Sequence, residues 1–204
     1  IRLPAHTPDM TLAPPTTGQW EIIRRPRPLV AEETVALPNN VVVDLALINN
    51  AFQLRLVLER EAALRFCATV SDADLAAIAD AHQRIVDRAR QGPIDAALLT
   101  DAQTVDWGLH DLMIDALGNP LISEMYRVNS LRVRLIRLER AMLSEDALLP
   151  AMEEHLWFIE ALKRRDGPLV AARLGHHIES AHRRVLGLPR PPLPTSTETK
   201  EPAP

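Results

Sequence analysis

Only one cysteine, Cys67, occurs in the 204 residues, so no internal disulfide can form and a reducing compartment is expected. Cys67 falls in an apolar helical run, where an inert core thiol is the expectation. Aromatic residues are nearly as scarce, at 3% of the chain, and there are only seven glycines. The apolar residues are mostly Leu, Ala, Val and Ile, and with abundant Arg and Glu they favour helix over sheet. No apolar run is long enough to span a bilayer, and the first residues, IRLPAHTPDM, lack the apolar core of a signal peptide. A cytoplasmic protein without membrane contact is expected. The net charge of −4 gives no electrostatic reason for nucleic-acid binding by this chain alone.

Proline is plentiful, and its placement divides the chain. Pro4, Pro8, Pro14, Pro15, Pro26, Pro28 and Pro38 mark residues 1–40 as an irregular arm. The stretch 189–204 has the composition of a disordered tail. Residues 41–188 are expected to form one all-α domain, an antiparallel bundle of six to seven helices. The first helix is expected over about Val43 to Thr69. The second opens at Ser71 or Asp72 as N-cap and ends near Gly92-Pro93. The third covers Asp95 to Leu117 and stops at Gly118-Asn119-Pro120. The fourth runs from Pro120 to Leu143, the fifth from Ser144 to Arg165, and the sixth from Pro168 to about Gly187.

Several polar residues fall on the inward stripes of these helices. Asp106 and His110 are four apart, hence stacked on one face, beside Leu109, Met113 and Leu117. His155 lies in the stripe of Met152, Leu156, Ile159 and Leu162. His177 lies in that of Val170, Leu174, Ile178, Ala181 and Val185, whereas His176 points away and His182 sits near the edge. A single inward histidine is ordinarily a hydrogen-bonded core residue. Three helices aiming imidazole or carboxylate at one core suggest a divalent metal, which satisfies all four groups at once. Zn or Ni suits the donor set best, and Fe or Mn is compatible.

In the first helix, Arg55 and Glu59 share a face with Ile48, Phe52, Ala62 and Phe66. Two readings stand side by side: an internal i, i+4 ion pair, or a guanidinium fork open to a ligand carboxylate. Arg132, a turn from Val128 and Leu135, is a weaker ligand-binding candidate. Arg164-Arg165 and Arg183-Arg184 read as solvated. A second apolar face of the first helix, with Leu47, Ala51, Leu54 and Leu58, is expected to serve dimerisation or packing.

The segments QLRLVLEREAA, DWGLHDLMIDALGNPLI, EEHLWFIEALKRRD and AARLGHHIESA resemble the FCD effector domain of FadR-type GntR transcription regulators. The resemblance covers about residues 40–188. It implies a dimerising helical bundle that binds small organic acids. By motif position, it implies a divalent ion on Asp106, His110, His155 and His177, with Arg55 assisting the carboxylate. The arm shows no amphipathic helix pair and no Ser-Arg-x-Pro-x-Arg-Glu-Ala segment. DNA is therefore expected as a partner only where a winged helix-turn-helix is supplied from outside this sequence. The leading expectation is a metal-dependent organic-acid sensor with no catalytic residue. The alternative is a metalloenzyme acting on a small carboxylate substrate, with Glu59 as base.

Overall fold

The computed structural model describes residues 44–139 and 145–191, and within them six helices and no strand. The expected arm (1–40), Ser144 and most of the expected tail lie outside the described residues. The helices are α1 (Leu45–Thr69), α2 (Asp72–Gln91), α3 (Ala96–Asp115), α4 (Pro120–Glu139), α5 (Glu145–Lys163) and α6 (Gly167–Val185). No described helix is long and apolar enough to cross a membrane.

Short polar residues start four of these helices. Asp44, Ser71, Asp95 and Asp166 each accept a hydrogen bond from the backbone N–H three residues on. Such a cap satisfies a donor that the helix cannot, worth about 1 kcal/mol. Pro120 opens α4 two residues after Gly118, whose φ of +65° ends the preceding turn at little cost to a residue without Cβ, and Asn119 between them accepts from the Leu121 and Ile122 N–H groups. Arg165 takes φ of 56° between α5 and α6 without that freedom. It is held there by its own side chain, which donates to the Cys67 carbonyl at 2.9 Å and to Asp72. Arg165 is exposed, as expected, and its guanidinium also bridges α1 and α2.

The packing places α1 at the centre, chiefly against α6, α3 and α4, while α2 packs on α5 and α3. Although only Val70 and Ser71 join α1 to α2, the two make few contacts with each other, so short connections do not everywhere mean packed neighbours. Ile85, Val86, Ala89, Leu98, Ala102, Leu148 and Met152 close one layer between α2, α3 and α5. On α1, Ala51 is buried and Leu47, Leu54 and Leu58 are half-buried. The Ala51 carbonyl accepts from the Asn129 side chain of α4, so this face serves internal packing. Cys67 is a buried free thiol.

Candidate metal centre

Asp106 and His110 on α3, His155 on α5 and His177 on α6 are all buried, and they meet. One ligand atom from each can be chosen so that all four lie within 4.8 Å of one another. The i, i+4 spacing on α3 supplies two of them from a single face, and the stripes of α5 and α6 bring in the others. His155 Nε2 lies 3.3 Å from Asp106 Oδ1 and 3.1 Å from His177 Nε2.

The outer partners of these imidazoles fix where their protons sit, since some of those partners can only accept or only donate. Glu154, fully buried, lies 3.0 Å from His177 Nδ1. Burial alone would raise the Glu154 pKa, but His177, Arg184 and Arg190 outweigh it and hold the carboxyl below its usual range. Its carboxylate only accepts, so His177 Nδ1 donates and Nε2 keeps a bare lone pair. On the far side of His155, Nδ1 is 3.0 Å from His82 Nε2, and His82 Nδ1 is 2.8 Å from the Ile78 carbonyl. The carbonyl also only accepts. His82 Nδ1 must donate to it, His82 Nε2 must accept, and His155 Nδ1 supplies that proton. His155 Nε2 is therefore bare as well.

Two imidazole lone pairs thus face each other at 3.1 Å, beside a carboxylate. A proton could relieve them, but burial opposes it. Burial pushes the His155 pKa well below its usual value, reinforced by His177. Burial likewise brings His177 down to about 4 against the pull of Glu154. Buried lone pairs that face each other are costly, and one cation placed between the two Nε2 atoms and the Asp106 carboxylate would satisfy all three. Three imidazoles and one carboxylate are a donor set for a borderline divalent metal.

His110 completes the set from the other side. Its Nδ1 lies 2.7 Å from Glu59 Oε2, and its Nε2 lies 2.8 Å from Arg55 Nη2. A guanidinium only donates, so His110 Nε2 accepts, and an ion taking up that lone pair competes with Arg55. Of the two readings of Arg55, the internal ion pair is present: Nε pairs with Glu59 four residues on, while Nη2 turns to His110. Glu59 accepts in addition from the Tyr126 hydroxyl at 3.0 Å. Burial alone would raise the Glu59 pKa, but Arg55 and His110 outweigh it and bring the carboxyl down to about 2. So acidic a carboxyl is a poor general base.

Beside this group a small cavity is lined by Arg55, His110, Tyr126, Asn129, Trp107 and Arg134, among others. The Arg134 guanidinium lies 4.0 Å over the Trp107 ring, and its buried Nε makes no hydrogen bond. Arg132, the expected candidate, is instead exposed and does not line this cavity. The buried face of α4 is Tyr126, Asn129, Val133 and Ile136, whereas Val128, the residue used to place Arg132, is 46% exposed.

The family profile described as the FCD domain matches residues 50–180, well over half of the sequence. The chain belongs to the FCD domain family. Among solved structures, this FCD domain is similar to the metal-free FCD domain of TM0439, provisionally described as a transcriptional regulator. The TM-score is 0.59 at 20% identity, over 72% of this chain and 96% of that one, which speaks to the fold. No curated protein matches the sequence.

His82, Glu154 and Arg184 are among the residues of the centre that were not expected from the sequence. His82 lies in the α2 stripe of Leu75, Ile78 and Ile85, a position that could have been read as His155 was. Glu154, next to His155, is fully buried. Arg184, expected to be solvated, has a mostly buried side chain 3.6 Å from Glu154.

Proposed function

We propose that this FCD domain is the effector domain of a GntR/FadR-type transcription regulator. It holds a divalent metal on Asp106, His110, His155 and His177, and senses a small organic acid beside that metal. The observation that carries this reading is the pair of buried Nε2 atoms of His155 and His177 facing each other at 3.1 Å next to Asp106. The bound ion would supply a positive centre for the acid's carboxylate. Zn and Ni are the first candidates, ahead of Fe and Mn. Arg55 and Arg134 supply fixed positive charge around the cavity, and Asn129 supplies an amide.

The cavity is narrow, with about 20 Å³ open to the centre of a water-sized sphere. That is room for a water or two, so an organic acid enters only as lining side chains such as Arg134 and Trp107 move apart. Such a movement is the natural coupling between ligand binding and a change of shape. Citrate and lactate, titrated calorimetrically into the metal-loaded protein, test this pocket. At least one is expected to bind, and Arg134→Ala is expected to weaken it about tenfold or more, the loss of one charged hydrogen bond. Arg132→Ala is expected to leave the affinity unchanged. Equal affinity in wild type and Arg134→Ala would remove Arg134 from the pocket. The metalloenzyme alternative loses its proposed base, since Glu59 is ion-paired and strongly acidic.

The homodimer is part of this proposal, and α4 is the face proposed for it. Leu121, Met125, Val128 and Leu131 lie exposed along that helix, with Glu124 and Arg132 exposed beside them. About a two-fold axis at Val128, an antiparallel second copy sets Met125 against the partner's Leu131 and Glu124 against the partner's Arg132. Apolar seam and charges match in the same register. Val128→Glu is expected to give a monomer in sedimentation velocity. Glu124→Arg is expected to weaken the dimer and Glu124→Arg/Arg132→Glu to restore it. A dimer indifferent to all three would place the interface elsewhere.

A further inference from the structure

His82 contributes no atom to the quartet, yet it is 1% exposed and hydrogen-bonded through both ring nitrogens. A buried imidazole satisfied on both sides is unremarkable by itself. What sets His82 apart is the direction of its bonds. The Ile78 carbonyl belongs to α2 itself, one turn before His82, and cannot be removed by any side-chain exchange. It is an acceptor whatever happens around it. The proton on His82 Nδ1 is therefore fixed by the backbone, the lone pair on His82 Nε2 follows, and with it the proton on His155 Nδ1.

We propose that His82 is a positioning residue for the metal centre: a relay from the Ile78 carbonyl through His82 holds His155 in the tautomer that presents a bare Nε2 to the ion. The proposal rests on the metal reading given above. Each of the other imidazoles has its own carboxylate: Glu154 for His177, and Glu59 for His110. For His155 the device is a second histidine, which exerts no full charge. It sets orientation and tautomer through an acceptor of moderate strength, where the two carboxylates act by charge as well. The relay also spans two elements, because α2 carries His82 and α5 carries His155. It ties the position of α2 to the ligand geometry, a coupling that neither helix provides alone.

The chemistry predicts a clear difference between two replacements. His82→Leu keeps an apolar side chain in the site but offers no acceptor, so His155 Nδ1 loses its partner and the other tautomer becomes accessible. His82→Gln offers an amide oxygen at a similar reach and can accept the same proton. In the full-length protein, Zn²⁺ affinity measured by competition with a chromophoric chelator is expected to fall about 10–100-fold in His82→Leu. It is expected to stay within a few-fold of wild type in His82→Gln. Rescue by glutamine is a result that a purely space-filling role for His82 does not produce.

The tautomer itself gives the second readout, independent of any metal. Long-range ¹H–¹⁵N correlation spectra of the metal-free protein are expected to show His155 protonated at Nδ1 in wild type and His82→Gln, and mixed or reversed in His82→Leu. Should the wild type bind none of Zn²⁺, Ni²⁺, Fe²⁺ and Mn²⁺ while the tautomer still depends on His82, the metal reading fails and the relay stands as a structural one. Should Zn²⁺ bind with equal affinity in all three proteins and the His155 tautomer stay the same, the relay is overturned and the metal reading survives.

Discussion

His155→Ala and His177→Ala are each expected to lose stoichiometric metal, and with it all stabilisation by added Zn²⁺. Each removes a bare Nε2 from a site where the remaining donors come from different helices, and neither leaves a side chain that could substitute. In the wild type, free metal at about a thousand times its dissociation constant stabilises the fold by about 4 kcal/mol. For a domain of this size that is an increase of about 8–16 °C in melting temperature. Both variants are expected to melt at the same temperature with and without metal. A metal-dependent shift retained in either variant would mean that the ion sits elsewhere.

The second large effect is expected at Arg55. Its guanidinium is buried against Glu59, which is fully buried. Arg55→Ala leaves that carboxylate with the Tyr126 hydroxyl and His110 as its remaining partners. Removing one member of a buried pair costs about 3–5 kcal/mol, because the other charge is stranded away from water. Arg55→Ala is therefore expected to lower the melting temperature by about 6–20 °C. Arg55→Ala/Glu59→Gln is expected to recover much of the loss, since a neutral amide still accepts from Tyr126. Equal stability of Arg55→Ala and wild type would show that the pair is solvated in solution. The role of Arg55 toward an organic acid is best measured in the double variant, where the fold is less disturbed.

How much of this could be read from the sequence depends on the residue. Helix ends were legible where a short polar side chain or a proline has a mechanical reason to be there, as at Ser71, Asp95 and Pro120. The quartet was legible because Asp106 and His110 share a helical face and because His155 and His177 interrupt stripes that are otherwise aliphatic. Facing could identify those residues. It could not rank them against His82, which interrupts the α2 stripe in the same way but reaches the centre only through His155. That distinction depends on how α2 and α5 pack.

Arg132 was misplaced for a related reason. Helix α4 carries two apolar stripes, Tyr126, Val133 and Ile136 inside and Leu121, Met125, Val128 and Leu131 outside. Periodicity locates both and does not say which meets the core. Taking Val128 as inward selected Arg132, whereas the α4 arginine that lines the cavity is Arg134. The exposed stripe is as regular as the buried one, which is why it is proposed as a surface for a second copy. Arg184 shows the same limit. A basic pair near a helix end reads as solvated until the fold sets buried Glu154 beside it.

Metal stoichiometry in the purified, full-length protein tests the central claim most directly, by elemental analysis before and after stripping and reconstitution with Zn²⁺ or Ni²⁺. The account predicts about one ion per chain in the reconstituted protein. No stoichiometric metal after reconstitution with Zn²⁺, Ni²⁺, Fe²⁺ or Mn²⁺ would contradict it, and the histidine cluster would then be a metal-free polar core.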